Sequence, residues 1–155
     1  MRGHRAKRKI MQRDRKYQSV LIARLINKVM LDGKKVKAEN IVYSAIEAGA
    51  KTVKAEPDQF VEAAIGKVRP ALEIRSRRVG GATYSVPCPV TPARQDALAI
   101  RWIVDIARKA QGEGVDKLLE KELVSAFNGE GLAVKKKSEV EKMAEANKAF
   151  AHFRW

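Results

Sequence analysis

The chain has 155 residues, 45% of them hydrophobic, and a formal net charge of +14 at pH 7. Length and apolar content suit one folded domain with a sizeable core. The charge points to a polyanionic partner, and the absence of any run approaching about 18 consecutive apolar residues argues against a membrane partner.

Residues 1–16 are a basic arm: eight Lys and Arg against Asp14 alone give +7, half of the total. Within it Arg2, Arg5, Lys7, Arg8 and Lys9 are candidate phosphate contacts. Such a segment repels itself when free and is expected to order against a phosphate backbone. The arm is taken as residues 1–18 and a helical domain as 19–155.

Residues 20–31, VLIARLINKVML, carry apolar positions three and four apart and predict a first helix, broken at Gly33. A second is expected over 37–54. A third begins at Pro57, with Asp58 in its first turn, and stops before Pro70. ALEIRSRRV and ATYSVPCPV then flank Gly80-Gly81, a pair suited to a tight turn, and predict a β-hairpin over about 72–90. Pro87 and Pro89 remove backbone donors, so the hairpin is expected to protrude or lie at an edge. Thr91-Pro92 reads as the cap and first turn of a fourth helix over 92–110. This is the most apolar segment and is expected to be central. A fifth helix fits 115–127, ended by Asn128-Gly129. Ser138 and Glu141 have capping-box spacing for a sixth over 139–150. The expected fold is mainly α: a single domain of about six helices with one protruding β-hairpin and a basic N-terminal arm.

Catalytic chemistry is not indicated. The only histidines, His4 and His152, lie near opposite ends, and Cys88 is the only cysteine. That excludes an internal disulfide and leaves no His/Cys zinc set. The glycines at 112 and 114 lack the rest of a dinucleotide fingerprint, and Gly33-Lys34 lacks the rest of a phosphate-binding loop. No cofactor and no metal are expected, and the protein is not expected to be an enzyme.

Binding chemistry is indicated at several places. Lys34, Lys35 and Lys37 follow the first helix. Arg75, Arg77 and Arg78 occupy the hairpin, where strand alternation sends Arg78 to the face opposite the other two. Arginine offers phosphate a planar fork. Tyr84 serves either to stack on an unpaired base or to cover a hydrophobic edge. Arg94, Arg101 and Arg108 recur every seven residues on the fourth helix, and Lys135, Lys136 and Lys137 form one more basic cluster before the last helix. Charge spread this widely suits a folded, branched RNA better than the single groove read by a basic DNA-binding repressor, the competing interpretation.

Four blocks carry a resemblance: LINKVMLDGKKVKAENIVYSAIE (25–47), RSRRVGGATYSVP (75–87), ALAIRWIV (97–104) and MAEANKAFAHFRW (143–155). In order and spacing they resemble the bacterial-type family of small-subunit ribosomal protein seven, over nearly the whole chain. The resemblance implies a helical domain with an extended hairpin. It implies binding to the 3′ major domain of small-subunit rRNA, early organisation of the head, and a hairpin near exit-site tRNA and mRNA. Arg77, Arg78, Gly80, Gly81 and Tyr84 match the hairpin motif; Lys34, Lys35, Arg94 and Arg101 match basic positions facing rRNA. Lys135, Lys136, Asn147, Lys148 and His152 match a C-terminal motif near exit-site tRNA and the neighbouring head and platform proteins. The implied location is the ribosome of the cytoplasm, and an organellar ribosome would read the same. Cys88, Ser138, Val140 and Glu141 depart from the family's usual residues.

Overall fold

The computed structural model describes residue 3 and residues 11–153. Six α-helices and one hairpin follow in chain order: α1 Val20–Val29, α2 Lys35–Val53, α3 Pro57–Val68, β1 Leu72–Val79, β2 Ala82–Pro89, α4 Pro92–Lys109, α5 Val115–Asn128 and α6 Leu132–Ala146. A 3-10 helix over Lys148–Phe153 closes the described chain. The mainly helical single domain with one hairpin is therefore as the sequence predicts.

The apolar stripes of α1 to α5 converge on one core. Ile22, Leu25, Val42, Ile46, Phe60, Val61, Ile65, Ile103, Leu119 and Leu123 are all essentially without exposure. Burying such side chains is worth about 1.5–3 kcal/mol each, which is what outweighs the entropy of ordering them. The sequence gives α4 the central place. In the structure α4 packs on α1, α3, α5 and α6, and α5 packs on α2, α3, α4 and α6, so the two share it. The Phe60 ring sits under Gly49 of α2, where a Cβ would come within 2.8 Å of it, and beside Phe127 of α5 at a centroid distance of 5.7 Å.

The strands pair antiparallel from Leu72 with Pro89 to Val79 with Ala82. Gly80 and Gly81 turn the tip at φ 57° and 92°, both in the left-handed region that a primed turn requires. Arg77 stands opposite Tyr84, and Arg78 opposite Thr83.

One helix cap and one helix start differ from the sequence reading. Thr91 sits at the N-cap of α4 with extended dihedrals, but its side chain makes no capping bond. Helix α6 starts at Leu132, seven residues before the expected 139, and ends at Ala146. Its first turn is capped from another helix: the Glu122 carboxylate of α5 accepts the Ala133 N–H at 2.8 Å. Gly131 makes room, since a Cβ there would meet Glu122 Oε1 at 2.8 Å. A cap supplied through space leaves Ser138 without that task, and it lies inside the helix. Lys135, Lys136 and Lys137 consequently lie within α6 rather than before the last helix.

Candidate nucleic-acid interface

The basic arm is tied to the domain by its one acid. Asp14 is buried, and its Oδ2 accepts the backbone N–H of Lys16 at 3.0 Å and of Tyr17 at 2.9 Å. Its Oδ1 accepts the hydroxyl of Tyr43 on α2. Burial pushes the Asp14 carboxyl up, but the Tyr43 hydroxyl and the backbone N–H groups outweigh it and hold the group below its ordinary value. Tyr17 meets Tyr43 edge to face at 5.9 Å, and Lys16 lies over both rings while pairing with Glu47. This turn lays Arg13 and Arg15 along a hollow that also takes in Asn27 of α1 and Lys35 of α2.

That hollow adjoins two more. The second, between α1 and α4, shares Met11 and Asn27 with the first and holds Arg24, Lys28 and Arg101. The third, between α4 and the hairpin base, shares Ala93 and Ala97 with the second and holds Arg75 and Arg94. A connected, cation-lined path thus runs from the N-terminal turn to the hairpin. Acids along it are engaged with the cations: Asp96 holds Arg24 at 2.8 Å and Arg69 at 2.7 Å, Asp105 holds Lys28 at 3.6 Å, and Glu73 holds Arg94 at 3.2 Å. Arg101 has no side-chain partner among the described residues, which leaves its full charge on the path.

The hairpin presents two different faces. Arg78, Ser76, Thr83 and Ser85 are exposed and share one of them. On the other, Glu73 is buried and its carboxylate takes the Nε of both Arg75, at 2.6 Å, and Arg94. Further out on that face Tyr84 packs against Phe150 at 5.2 Å and Phe153 at 5.1 Å. Of the two roles open to Tyr84, the structure shows it covering an apolar edge formed with the C-terminal 3-10 helix. His152 in that helix contacts the Ala149 carbonyl through Nδ1 at 2.8 Å and stacks on Phe153. Glu141, one of the unusual residues of α6, accepts the Ala71 N–H at 3.4 Å beside the hairpin base.

A mainly helical body, one arginine-bearing hairpin and a continuous cationic path narrow the comparison with known proteins. The family described as ribosomal protein S7p/S5e matches residues 1–148. The chain belongs to that family. It is 52% identical over 154 residues to small ribosomal subunit protein uS7 of Symbiobacterium thermophilum, covering 99% of this chain and 98% of the relative. It is 50% identical over 155 residues to the uS7 proteins of Akkermansia muciniphila and Thermosipho africanus, covering 99% of both chains in the first case and 100% in the second. As an S7p/S5e-family member the protein is a ribosomal protein and not an enzyme.

The S7p/S5e assignment leaves each basic residue to be placed. Arg2, Arg5, Lys7, Arg8 and Lys9 lie outside the described residues. Lys34 makes an exposed pair with Asp32 at 3.5 Å, and exposed Lys35 makes a long pair with half-buried Glu39 at 3.7 Å; solvated, loosely held pairs contribute little and yield readily to a better anion. Lys37, Arg78, Arg101, Lys135 and Lys148 have side chains without partners among the described residues. Arg94 and Arg108 carry internal duties: Arg108 donates to the Lys28 and Val29 carbonyls at the end of α1, at 3.0 and 3.2 Å. Lys136 pairs with Glu139 at 3.8 Å, and Lys137 donates to the Lys67 carbonyl at 3.1 Å, so the three lysines of α6 do not act as one patch. Arg77 is half-buried beside the aromatic group. The sequence reading passed over Arg24, Lys28 and Glu73. Arg24 and Lys28 are four apart on a helix whose other residues, Asn27 excepted, are apolar, a legible signal; Glu73 stands among arginines, and nothing local marks it as buried.

Proposed function

We propose that this ribosomal protein binds the 3′ major domain of small-subunit rRNA, organises assembly of the head, and places its hairpin near exit-site tRNA and mRNA. The observation that carries the reading is the cationic path over three adjoining hollows, ending at the hairpin. Phosphate neutralisation along such a path lets RNA helices approach one another, so the task is placement without a chemical step. On this reading Arg101, Lys37 and Lys135 meet rRNA directly, and Lys34, Lys35, Arg94, Arg108, Lys136 and Lys137 exchange or share internal partners. The arm cations Arg2, Arg5, Lys7, Arg8 and Lys9 add further phosphate contacts. Arg75, Arg77 and Arg78, with Gly80 and Gly81 at the tip, face tRNA and mRNA, and Lys148 and His152 lie near them, with Tyr84 as their support. Head and platform proteins are the remaining partners, and the cytoplasmic ribosome is the location. Among the described residues no helix is long and apolar enough to cross a membrane.

The test is retention on small subunits through a high-salt wash, paired with filter binding to separate rRNA domains. Retention and preference for the 3′ major domain are expected. Loss in the wash, or equal binding to all domains, would return the protein to the class of general nucleic-acid binders.

A further inference from the structure

Glu73 is one of three buried acids among the described residues, and it is the one that lines the hollow between α4 and the hairpin base. Its side chain is 11% exposed, whereas the two arginines on it, Arg75 and Arg94, are 54% and 45% exposed. Arg94 reaches Glu73 through Nε, which leaves both terminal amino groups for another acceptor. Arg75 uses Nε and one terminal nitrogen, which leaves the other. Between the two guanidinium groups and the start of α4 lies an open hollow lined by Val90, Thr91, Ala93 and Ala97. Thr91 lines it, and its side chain is not spent on capping.

We infer that Glu73 is a positioning residue that joins Arg75 of the hairpin and Arg94 of α4 into one two-arginine site for a phosphodiester of RNA. The inference rests on the RNA-binding reading above and assigns one site within it, on the rRNA side: Arg75 lies at the hairpin base beside Arg94 of α4, whereas Arg77 and Arg78 lie nearer the tip and keep the tRNA and mRNA side. The geometry supplies the reason. A guanidinium held at Nε by a buried carboxylate keeps its plane fixed, so its outer N–H groups remain aimed at a second anion. Two such groups from different elements on one acid also lock the hairpin base to α4. Free arginines would present the same charge without the shared orientation, and ordering them would cost side-chain entropy at binding.

The sign of one substitution separates this from a role in charge balance alone. Glu73→Gln adds a positive charge to the path. If Glu73 only neutralises its neighbours, RNA binding tightens; if it positions them, binding weakens although attraction at a distance has grown. The measurement is filter binding of the full chain to a 3′ major domain rRNA fragment at fixed salt. A loss of roughly tenfold is expected for Glu73→Gln, the scale of one charge-assisted hydrogen bond. The companion variant Arg94→Lys keeps the charge but has no fork, and it is expected to lose affinity similarly with an unchanged unfolding midpoint. Binding by Glu73→Gln as tight as the unaltered protein or tighter overturns the inference. If Glu73→Gln does not fold, Arg94→Lys decides: unchanged affinity overturns it and a loss supports it. Failure of the unaltered protein to bind the fragment overturns the RNA-binding reading itself, and the site with it.

Discussion

The hydroxyl of Tyr43 on α2 donates to the buried carboxylate of Asp14, fastening the single acid of the basic arm to the helical body. Without that bond Asp14 would be a buried anion held by backbone N–H groups alone. Tyr43→Phe is therefore expected to lower unfolding free energy by about 1–2 kcal/mol. Because the folded Asp14 sits below its ordinary value, its contribution is present above the unfolded carboxyl's range and is lost as pH falls through the folded value. Urea titrations at neutral pH and near pH ~3 check both parts: the difference between the two proteins should shrink in acid. A constant difference would locate the effect in packing.

Glu122 behaves in the opposite sense. Burial pushes its carboxyl up, and the Ala133 N–H only partly offsets this. The folded state then binds the proton more tightly than the unfolded one. Stability from this group is greatest below the unfolded value and declines as pH rises through the folded value. Glu122→Gln keeps an acceptor for Ala133 and removes the charge, so the decline should flatten across mildly acidic pH. Denaturant midpoints from about pH 4 to 7 read it; identical slopes for both proteins would sink the idea.

Gly49→Ala should destabilise, against helix propensity. Alanine gains about 1 kcal/mol over glycine in a helix interior. Here the new Cβ would lie 2.8–2.9 Å from the ring of fully buried Phe60. Phe60 also packs on Phe127 and cannot swing away without disturbing α5. A net loss of about 1–3 kcal/mol is expected from such overpacking. Thermal unfolding decides it, and a raised midpoint would show that the ring yields.

Tyr84→Ala should loosen the C-terminal 3-10 helix and leave the core intact. Two ring contacts are lost, each worth about 0.5–1.5 kcal/mol beyond buried area. The 3-10 helix has no fully buried residue of its own to hold it. Hydrogen exchange should accelerate over residues 148–153 while α4 and α5 stay protected. Unchanged exchange there would mean that something other than Tyr84 anchors the segment.

Removing residues 1–10 deletes five Lys and Arg yet keeps Asp14. If about four of those cations meet phosphates, the log–log salt slope for rRNA binding should fall by roughly 3 units. The unfolding midpoint should hold. Extending the cut through residue 16 should cost stability as well, because it removes the tie to Tyr43. An unchanged salt slope after the shorter cut would take the arm out of the RNA contact.

Most of the fold was legible because its signals are local. Apolar spacing, Pro57, Pro92 and Gly129 mark helices, and Gly80-Gly81 between two β-rich runs marks the hairpin. Helix α6 was misplaced because its start depends on Glu122, which reaches it through space, while Ser138 and Glu141 imitate a local cap. The same limit applies to the interface. Basic residues can be counted in a sequence, but their engagement cannot. Arg101 and Arg108 look alike seven residues apart; one has no side-chain partner among the described residues, and the other closes the end of α1. Glu73 and Asp14 matter through burial, which depends on chain segments distant in sequence.

Glu141 carries a consequence for the order of events at synthesis. It receives the Ala71 N–H beside the hairpin base, yet it is made 70 residues after that base. Helix α6 in turn waits for Glu122 to dock. During translation the hairpin is thus complete in sequence long before its brace exists, with both strand edges unpaired, and exposed edges invite pairing with another chain. Arg75, Arg77 and Arg78 on β1, with Pro87 and Pro89 on β2, are the residue types that discourage such pairing. The arginines proposed to meet RNA are therefore expected to protect the nascent chain as well, and replacing them with neutral residues should raise aggregation of chains truncated before α6 while leaving full-length chains soluble.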